Sequence, residues 1–421
     1  MKKQTYTATT LAGLEEVLAQ ELIEIGADEV QIGRRSVYFS GDLKLLYKAN
    51  YCLRSALRIL LPIDSYKIHS ADDLYQRGKN FKWEDLFGCD QTFAIQSTVF
   101  TDLFNNSMYA SLKLKDAIVD RFRYKFGERP SVNSKKPDIL INLHISNEYC
   151  TISLDSSGES LHKRGYRLDQ NEAPMSEVLA AGLIRLSEWD RKSDLIDPMC
   201  GSGTIAIEAA MLANGISPGS VRKDFCFRNW RNFNPEMFAQ MEEEVQPNGI
   251  QPVKISASDI SRRNIDIAYK NAEAAGVLPL IDFKISDFRV LEPASEKPFL
   301  LFNPPYGERL TPDDTNFYSM IGERLKHHYT DATVWIISTP QCLKSIGLRP
   351  SRKISILNGS LECSFRKYEL YSGSKKVATE KSINTENIED SRLADLIEKG
   401  MKSKSVSRET VMEILGQKNE D

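Results

Sequence analysis

The chain has 421 residues, 41% of them hydrophobic and 27% charged, with a formal net charge of −3. That length holds two or three domains with sizeable cores, and the near-neutral balance excludes a protein that binds nucleic acid over its whole surface. No apolar run is long enough to cross a bilayer, the lead Met1–Thr10 lacks the apolar centre of a signal peptide, and the seven cysteines are scattered without a Cys-x-x-Cys pair. The cysteine pattern argues against a disulfide framework or a zinc site and for a reducing, cytoplasmic setting, with no metal and no membrane partner expected.

In chain order, Tyr6–Thr10 reads as a strand. Gly13–Gly26 carries Leu14, Val17, Leu18, Leu22 and Ile25 at three- and four-residue steps, which predicts an amphipathic helix closed by Gly26. Val30–Ile32 and Val37–Phe39 read as short strands and Asp42–Asn50 as a helix, so residues 1–60 have the α+β pattern of a ferredoxin-like unit. Residues 61–167 stay mixed. Asp72–Tyr75 and Trp83–Phe87 read as short helices, Thr92–Ser97 as a strand, Ser107–Phe126 as a long helix, and Ile139–Ile145 with Tyr149–Leu154 as a hairpin across Asn147. Between Lys113 and Lys136, eight Lys and Arg stand against three Asp and Glu, a local net of +5. Lys163-Arg164-Gly165-Tyr166-Arg167 adds three more cations around an aromatic ring. Such a run is either a solvated helix face or a stripe that contacts phosphates, and the second reading requires a nucleic-acid substrate downstream.

From about residue 170, strands and helices alternate. Helices are predicted at Ser176–Glu188, Thr204–Ala213, Arg262–Ala275 and Asn316–His328. Strands are predicted at Asp194–Asp197, Lys254–Asp259, Phe283–Ile285, Phe299–Phe302 and Thr333–Ser338, with Lys353–Leu357 and Leu361–Tyr371 as a closing antiparallel pair. This is an α/β, doubly wound, mostly parallel sheet over residues 168–373, which binds ligands at the carboxyl ends of its strands. Residues 374–421 form a polar tail with short helices at Ser391–Ile397 and Glu409–Leu415.

Two stretches carry the chemistry. In Leu301-Phe302-Asn303-Pro304-Pro305-Tyr306-Gly307, two prolines stop a buried strand and stiffen the corner that follows. The corner presents an amide oxygen, backbone carbonyls and a flat ring to one small volume, which suits a planar base bearing an exocyclic amine. Asp197-Pro198-Met199-Cys200-Gly201-Ser202-Gly203-Thr204 is the second, where a strand meets a helix. Its glycines allow close backbone approach, and the helix N-terminus suits an electronegative group. It lacks the Lys-Ser/Thr of a P-loop and the Gly-x-Gly-x-x-Gly spacing of a dinucleotide site. The following strands end at Asp259, an acid placed for a ribose, and at Ser286-Asp287-Phe288, an acid and a ring placed for an adenine. Either acid alone reads as a helix N-cap; together with the glycine turn and Asn-Pro-Pro-Tyr, the strand ends read as one site.

The C-terminal half resembles a class I, Rossmann-like S-adenosylmethionine-dependent methyltransferase of the amino-methylating group, on the strength of Asn303-Pro304-Pro305-Tyr306. The first 167 residues resemble the ferredoxin-like (1–60) plus THUMP (61–167) arrangement of RNA-modifying enzymes. Ser160–Arg167 with Ala173-Pro174-Met175, and the insert from Asn214 to Pro252 with Phe225-Cys226-Phe227-Arg228-Asn229-Trp230, resemble the bacterial 23S rRNA (guanine-N2)-methyltransferases. The resemblance covers residues 1–372 and implies S-adenosylmethionine as cofactor, bound by Asp197, Gly201, Gly203 and Thr204 at its methionine end, Asp259 at the ribose, and Asp287 and Phe288 at the adenine. It implies that Asn303, Pro304 and Tyr306 are catalytic and hold the target base, with Pro305, Lys163, Arg164 and Arg167 on the RNA. The expected partner is 23S rRNA, with tRNA the alternative; a DNA adenine-N6 enzyme and a non-catalytic RNA-binding protein are the further alternatives.

Overall fold

The structure, a computed structural model, describes residues 3–371 except 105, 170–173, 248, 250–252, 294 and 307–311. Gly307, Ala173 and the helices expected at 391–397 and 409–415 lie outside the described residues. The N-terminal region runs β1 (Gln4–Thr9), α1 (Glu15–Glu24), β2 (Asp28–Gly33), β3 (Ser36–Gly41), α2 (Leu43–Cys52), β4 (Arg58–Lys67), α3 (Ala71–Asn80), β5 (Phe93–Phe100), α4 (Ser107–Phe126), β6 (Ile139–Ser146) and β7 (Tyr149–Asp155).

The sequence reading lacks β4, and β4 is the strand that joins the region together. It pairs antiparallel with β1 on one side and β7 on the other. The two small units thereby share one seven-stranded sheet, ordered β2-β3-β1-β4-β7-β6-β5. Pro62 hides the strand from a pattern search, because proline cannot donate to a ladder. The sheet accommodates it at a register shift between Pro62 and Asp64. The boundary expected at residue 60 therefore falls inside a strand. The long helix α4 starts at Asn106, whose side chain accepts from the Tyr109 N–H, and stops at Gly127 in the left-handed region.

The C-terminal half follows as α5 (Glu177–Leu186), β8 (Leu195–Asp197), α6 (Thr204–Ala213), α7 (Pro235–Glu244), β9 (Ile255–Asp259), α8 (Arg262–Ala274), β10 (Ile281–Ile285), β11 (Phe299–Phe302), α9 (Pro312–His328), β12 (Thr333–Ser338), β13 (Arg352–Asn358) and β14 (Leu361–Glu369). Its seven strands are ordered β10-β9-β8-β11-β12-β14-β13. The first five are parallel, while β14 is antiparallel to both β12 and β13, so the expected mostly parallel sheet is mixed at one edge. The chain leaves β8 towards β9 on one side and returns as β11 on the other, which opens a crevice at the carboxyl ends of β8 and β11. No described helix is long and apolar enough to cross a membrane.

The insert between α6 and β9 packs on the N-terminal region. Phe225, Phe227, Trp230, Phe238 and Met241 are buried in the same apolar cluster as Tyr47 and Tyr51 of α2. The Tyr47 ring stacks on Phe227 at 4.7 Å, and each such ring contributes roughly 1.5–3 kcal/mol by leaving water. Arg222 completes the join. Its guanidinium donates to the carbonyls of Ser157, Ser160 and Lys163, at 3.0, 3.1 and 3.0 Å, and to that of Glu159.

Candidate active site

The register of β8 against β11 aligns Leu195 with Phe299 and Ile196 with Leu300, so Asp197 ends one strand beside Leu301 and Asn303 stands just past the end of the other. On the far side, Asp197 aligns with Ala257 of β9, two residues before Asp259. The acid, the second acid and the amide thus sit at three neighbouring strand ends.

Between Asp197 and α6 the backbone makes a tight turn. Gly201 and Gly203 adopt φ of +52° and +81°, the left-handed region that glycine enters without steric cost. A Cβ on Gly203 would also lie 2.9 Å from Ala268 Cβ, so α8 leaves room there only for a hydrogen. The Cys200 N–H donates to the Ser258 carbonyl at 2.9 Å, and the Gly201 N–H to Asp259 Oδ2 at 3.0 Å. Asp259 Oδ1 accepts from the Ser261 N–H at 2.9 Å and from Asn264 Nδ2 at 3.1 Å. A carboxylate has about four lone-pair sites, so Asp259 keeps acceptor capacity for one more donor after stapling the turn and starting α8.

Asp197 is fully buried, and neither of its oxygens closes a hydrogen bond among the described residues. Burial pushes its carboxyl well above the ordinary range and the charge of Asp259 pushes the same way, while the neighbouring Met199 N–H, which falls short of hydrogen-bond geometry, offsets them only in part. A buried acid in this state calls for a cation or a donor from outside the chain.

The same holds at the corner after β11. Asn303 Oδ1 is buried without a hydrogen-bond partner among the described residues, while Pro304 is buried and Pro305 exposed. Two tyrosines fix the corner's shape. The Tyr318 hydroxyl donates to the Pro305 carbonyl at 3.2 Å and shares a 2.6 Å hydrogen bond with Ser338 Oγ. The Tyr306 hydroxyl accepts from Asn358 Nδ2 at 2.7 Å, with Cys363 Sγ 3.6 Å away. Burial raises both phenol pKa values, so both rings stay neutral at physiological pH. Tyr318, Ser338, Asn358 and Cys363 carry no motif, and their partners lie 13 to 57 residues away in sequence.

Several expected residues face elsewhere. Phe288 is buried, stacked on Tyr329 at 5.6 Å and tilted against Phe302 at 5.8 Å, so it serves the core between β11 and α9 and offers no open ring. Asp287 stays at the rim, where the Arg289 guanidinium holds its carboxyl below the usual range. Arg164 and Arg167 turn inward, against the expectation of RNA contacts. Arg164 is buried, within 3.4 Å of Glu208 and donating to the Leu161 carbonyl. Arg167 pairs with Glu177 at 2.8 Å. A buried cation needs a carboxylate partner, and each arginine finds one inside. Lys163 remains at the surface, paired with Glu159 at 2.6 Å. Of the eight cations between 113 and 136, five stand in ion pairs: Lys115, Arg121, Arg123, Lys125 and Lys136. A cleft of about 440 Å³ beside His69 in the N-terminal region, and one of about 450 Å³ between that region and Trp230 of the insert, contain none of the strand-end residues.

Comparison with known proteins matches the chain segment by segment. Residues 5–60 match the RlmL ferredoxin-like domain, 69–155 the THUMP domain, and 164–367 the RMKL-like methyltransferase domain. A Synechocystis protein, slr0064, which carries the provisional name RNA methyltransferase, is 37% identical over 371 residues, 87% of this chain and 97% of its own. The chain belongs to the THUMP-bearing class I RNA methyltransferases. Among solved members of similar shape, SMU.472, provisionally named a methyltransferase, was crystallised with S-adenosylhomocysteine. It is 28% identical with a TM-score of 0.79 and covers 89% of this chain and 100% of its own. A provisionally named methylase from Clostridium difficile 630 is 30% identical, with a TM-score of 0.80 over 89% of this chain and 100% of its own. A Listeria monocytogenes protein, provisionally named an N6-adenine-specific DNA methylase, is 29% identical, with a TM-score of 0.79 over 88% and 97%.

The strand ends fit the family's cofactor, S-adenosylmethionine. The orphaned Asp197 carboxyl would suit a cationic amino group, the glycine turn would leave room for the methionine chain, and Asp259 would offer an acceptor site to a ribose hydroxyl.

Proposed function

We propose that this chain methylates the exocyclic N2 amine of a guanine in 23S ribosomal RNA. The observation that carries the reading is the orphaned Asn303 Oδ1 on a proline-stiffened corner, beside the strand that ends in Asp197. Guanine N2 is a poor nucleophile because its lone pair is delocalised into the ring. Asn303 Oδ1 accepts one N2 proton. The Pro304 carbonyl accepts the other, while the neighbouring Pro305 carbonyl accepts from Tyr318. Two acceptors on one amine favour pyramidalisation and aim the lone pair out of the ring plane. The cofactor, when bound, supplies a methyl on a cationic sulfur that needs no further activation. The chain's contribution is then positioning and fixed dipoles, worth roughly 7–11 kcal/mol in favourable intramolecular cases. Tyr306 supports the extruded base, whose removal from the helix costs a few kcal/mol.

Recovery of that cost falls to the N-terminal region. Tyr124 at 85% exposure and Phe126 at 51% stand among the exposed Arg123, Lys125 and Arg129 at the end of α4, a composition suited to phosphates and unstacked bases. Adenine N6 in DNA is a second reading, favoured by the name of the Listeria relative; it leaves the N-terminal sheet without a role. Incubation with labelled cofactor and, in parallel, naked 23S RNA, tRNA and DNA decides between them. The proposal expects label in 23S RNA and a missing N2-methylguanosine in ribosomal RNA from a deletion strain.

A further inference from the structure

From within, the turn at Gly201–Gly203 is closed by the Gly203 N–H donating to the Cys200 carbonyl at 2.8 Å. Both glycines are left-handed, and α6 begins at Gly203 with no side-chain cap. Glycine-rich backbone gains no shape from its own side chains and loses the most freedom on ordering. Further ties come from outside it, from Ser258 and Asp259 of β9 and from the segment that precedes α5.

Arg167, on the segment that leads out of the N-terminal region, donates Nη1 to Ser202 Oγ and Nη2 to Thr204 Oγ1, both at 3.1 Å. These hydroxyls flank Gly203 on either side. The same guanidinium is anchored behind by Glu177 Oε1 at 2.8 Å and the Met175 carbonyl at 3.0 Å, a use of its planar fork that lysine cannot copy. Asn271 of α8 adds a second tie. Its Nδ2 donates to the Ser202 carbonyl at 3.2 Å and to the Asp169 carbonyl at 3.1 Å, and its Oδ1 accepts the Leu168 N–H at 3.0 Å. One turn along α6, Glu208 meets Tyr166 at 3.1 Å and Arg164 at 3.4 Å. Arg164 in turn reaches the Arg54 carbonyl just after α2. Residues 164–169 therefore strap the glycine turn and its helix to the N-terminal region.

We propose that Arg167 is a positioning residue for the cofactor: with Asn271 it holds the 200–204 turn in its binding shape, so cofactor affinity depends on the segment joining the two halves. The inference rests on the methyltransferase reading of that turn. Its charge is balanced by Glu177, which leaves Arg167 no role as a phosphate contact.

The test uses the full chain, with S-adenosylhomocysteine as the calorimetric probe. Arg167→Met should weaken binding about tenfold and Ser202→Ala, which removes one acceptor and little packing, about threefold. The double variant should be no weaker than Arg167→Met alone, because both remove the same tie. In turnover, the KM for S-adenosylmethionine should rise, with kcat at saturating cofactor and the KM for RNA unchanged. Should Arg167→Met fail to fold, Ser202→Ala with Arg167→Lys carries the same reading, lysine recovering only part of the affinity. Wild-type affinity in folded variants, or a change in the KM for RNA in place of the cofactor, would overturn the proposal. If the wild-type chain itself binds no S-adenosylhomocysteine, the methyltransferase reading falls first and this inference falls with it.

Discussion

The side-chain amide of Asn358 donates to the Tyr306 hydroxyl at 2.7 Å, which ties the corner after β11 to the turn between β13 and β14. The antiparallel edge of the catalytic sheet thus orients the ring proposed to support the base. Tyr306→Phe and Asn358→Ala each remove that bond and should each cost about 1 kcal/mol of stability, with a similar, modest loss of methyl transfer. Tyr306→Ala removes the stacking surface as well and should lose about 1–3 kcal/mol of base affinity, roughly five- to 150-fold. A double-mutant cycle of Tyr306→Phe with Asn358→Ala, followed by RNA methylation rate, checks the coupling.

Asp197 makes a pH prediction. Burial raises its folded pKa above the ordinary 3.8, so the folded chain binds the proton more tightly than the unfolded chain. Its contribution to stability is therefore fully present below that ordinary value and is lost as pH rises towards the folded one. Asp197→Asn should remove this dependence and raise the melting temperature of the ligand-free protein at neutral pH. The same change should weaken S-adenosylhomocysteine about tenfold, because a buried charge partner is lost. Melting curves across pH, with and without the probe, read both effects.

Glu84 gives the opposite sign in the N-terminal region. Hydrogen bonds from Arg121 first and Lys125 second hold its carboxyl at about 2, below the ordinary 4.5. The stabilisation is present above pH 4.5 and fades as pH falls towards 2. Glu84→Gln should cost on the order of 1–2 kcal/mol at pH 7, discounted because Lys125 is screened by water, and almost nothing at pH 2. Acid titration of stability for the two proteins checks it.

Gly219 tests whether the insert is part of the N-terminal core. A Cβ there would lie 2.6 Å from Tyr51 Cδ2 and 2.7 Å from its backbone oxygen. Backbone cannot move aside as a side chain can, so Gly219→Ala should destabilise by about 1–3 kcal/mol, within the range for overpacking. Chemical denaturation measures the loss.

The strand–helix alternation of the second half was legible because buried parallel strands are short apolar runs between glycine and acid punctuation, as at Asp194–Asp197 and Phe299–Phe302. The strand ends carrying Asp197, Asp259 and Asn303 could be named for the same reason. β4 was hidden by Pro62, whose bulge exists only once β7 pairs beside it. Phe288 read as a ligand-facing ring because sequence shows its strand end and not Tyr329, which covers it. Arg164 and Arg167 read as a basic patch because their carboxylates, Glu208 and Glu177, are 44 and 10 residues away in sequence. Charge balance across such distances is a property of the fold.

Methyl transfer by Asn303→Ala, measured with labelled S-adenosylmethionine on naked 23S RNA beside S-adenosylhomocysteine calorimetry, tests the central claim most directly. The account predicts wild-type affinity for the probe and a loss of transfer of at least about a hundredfold, the scale of removing one preorganised polar contact. Transfer at the wild-type rate would contradict it.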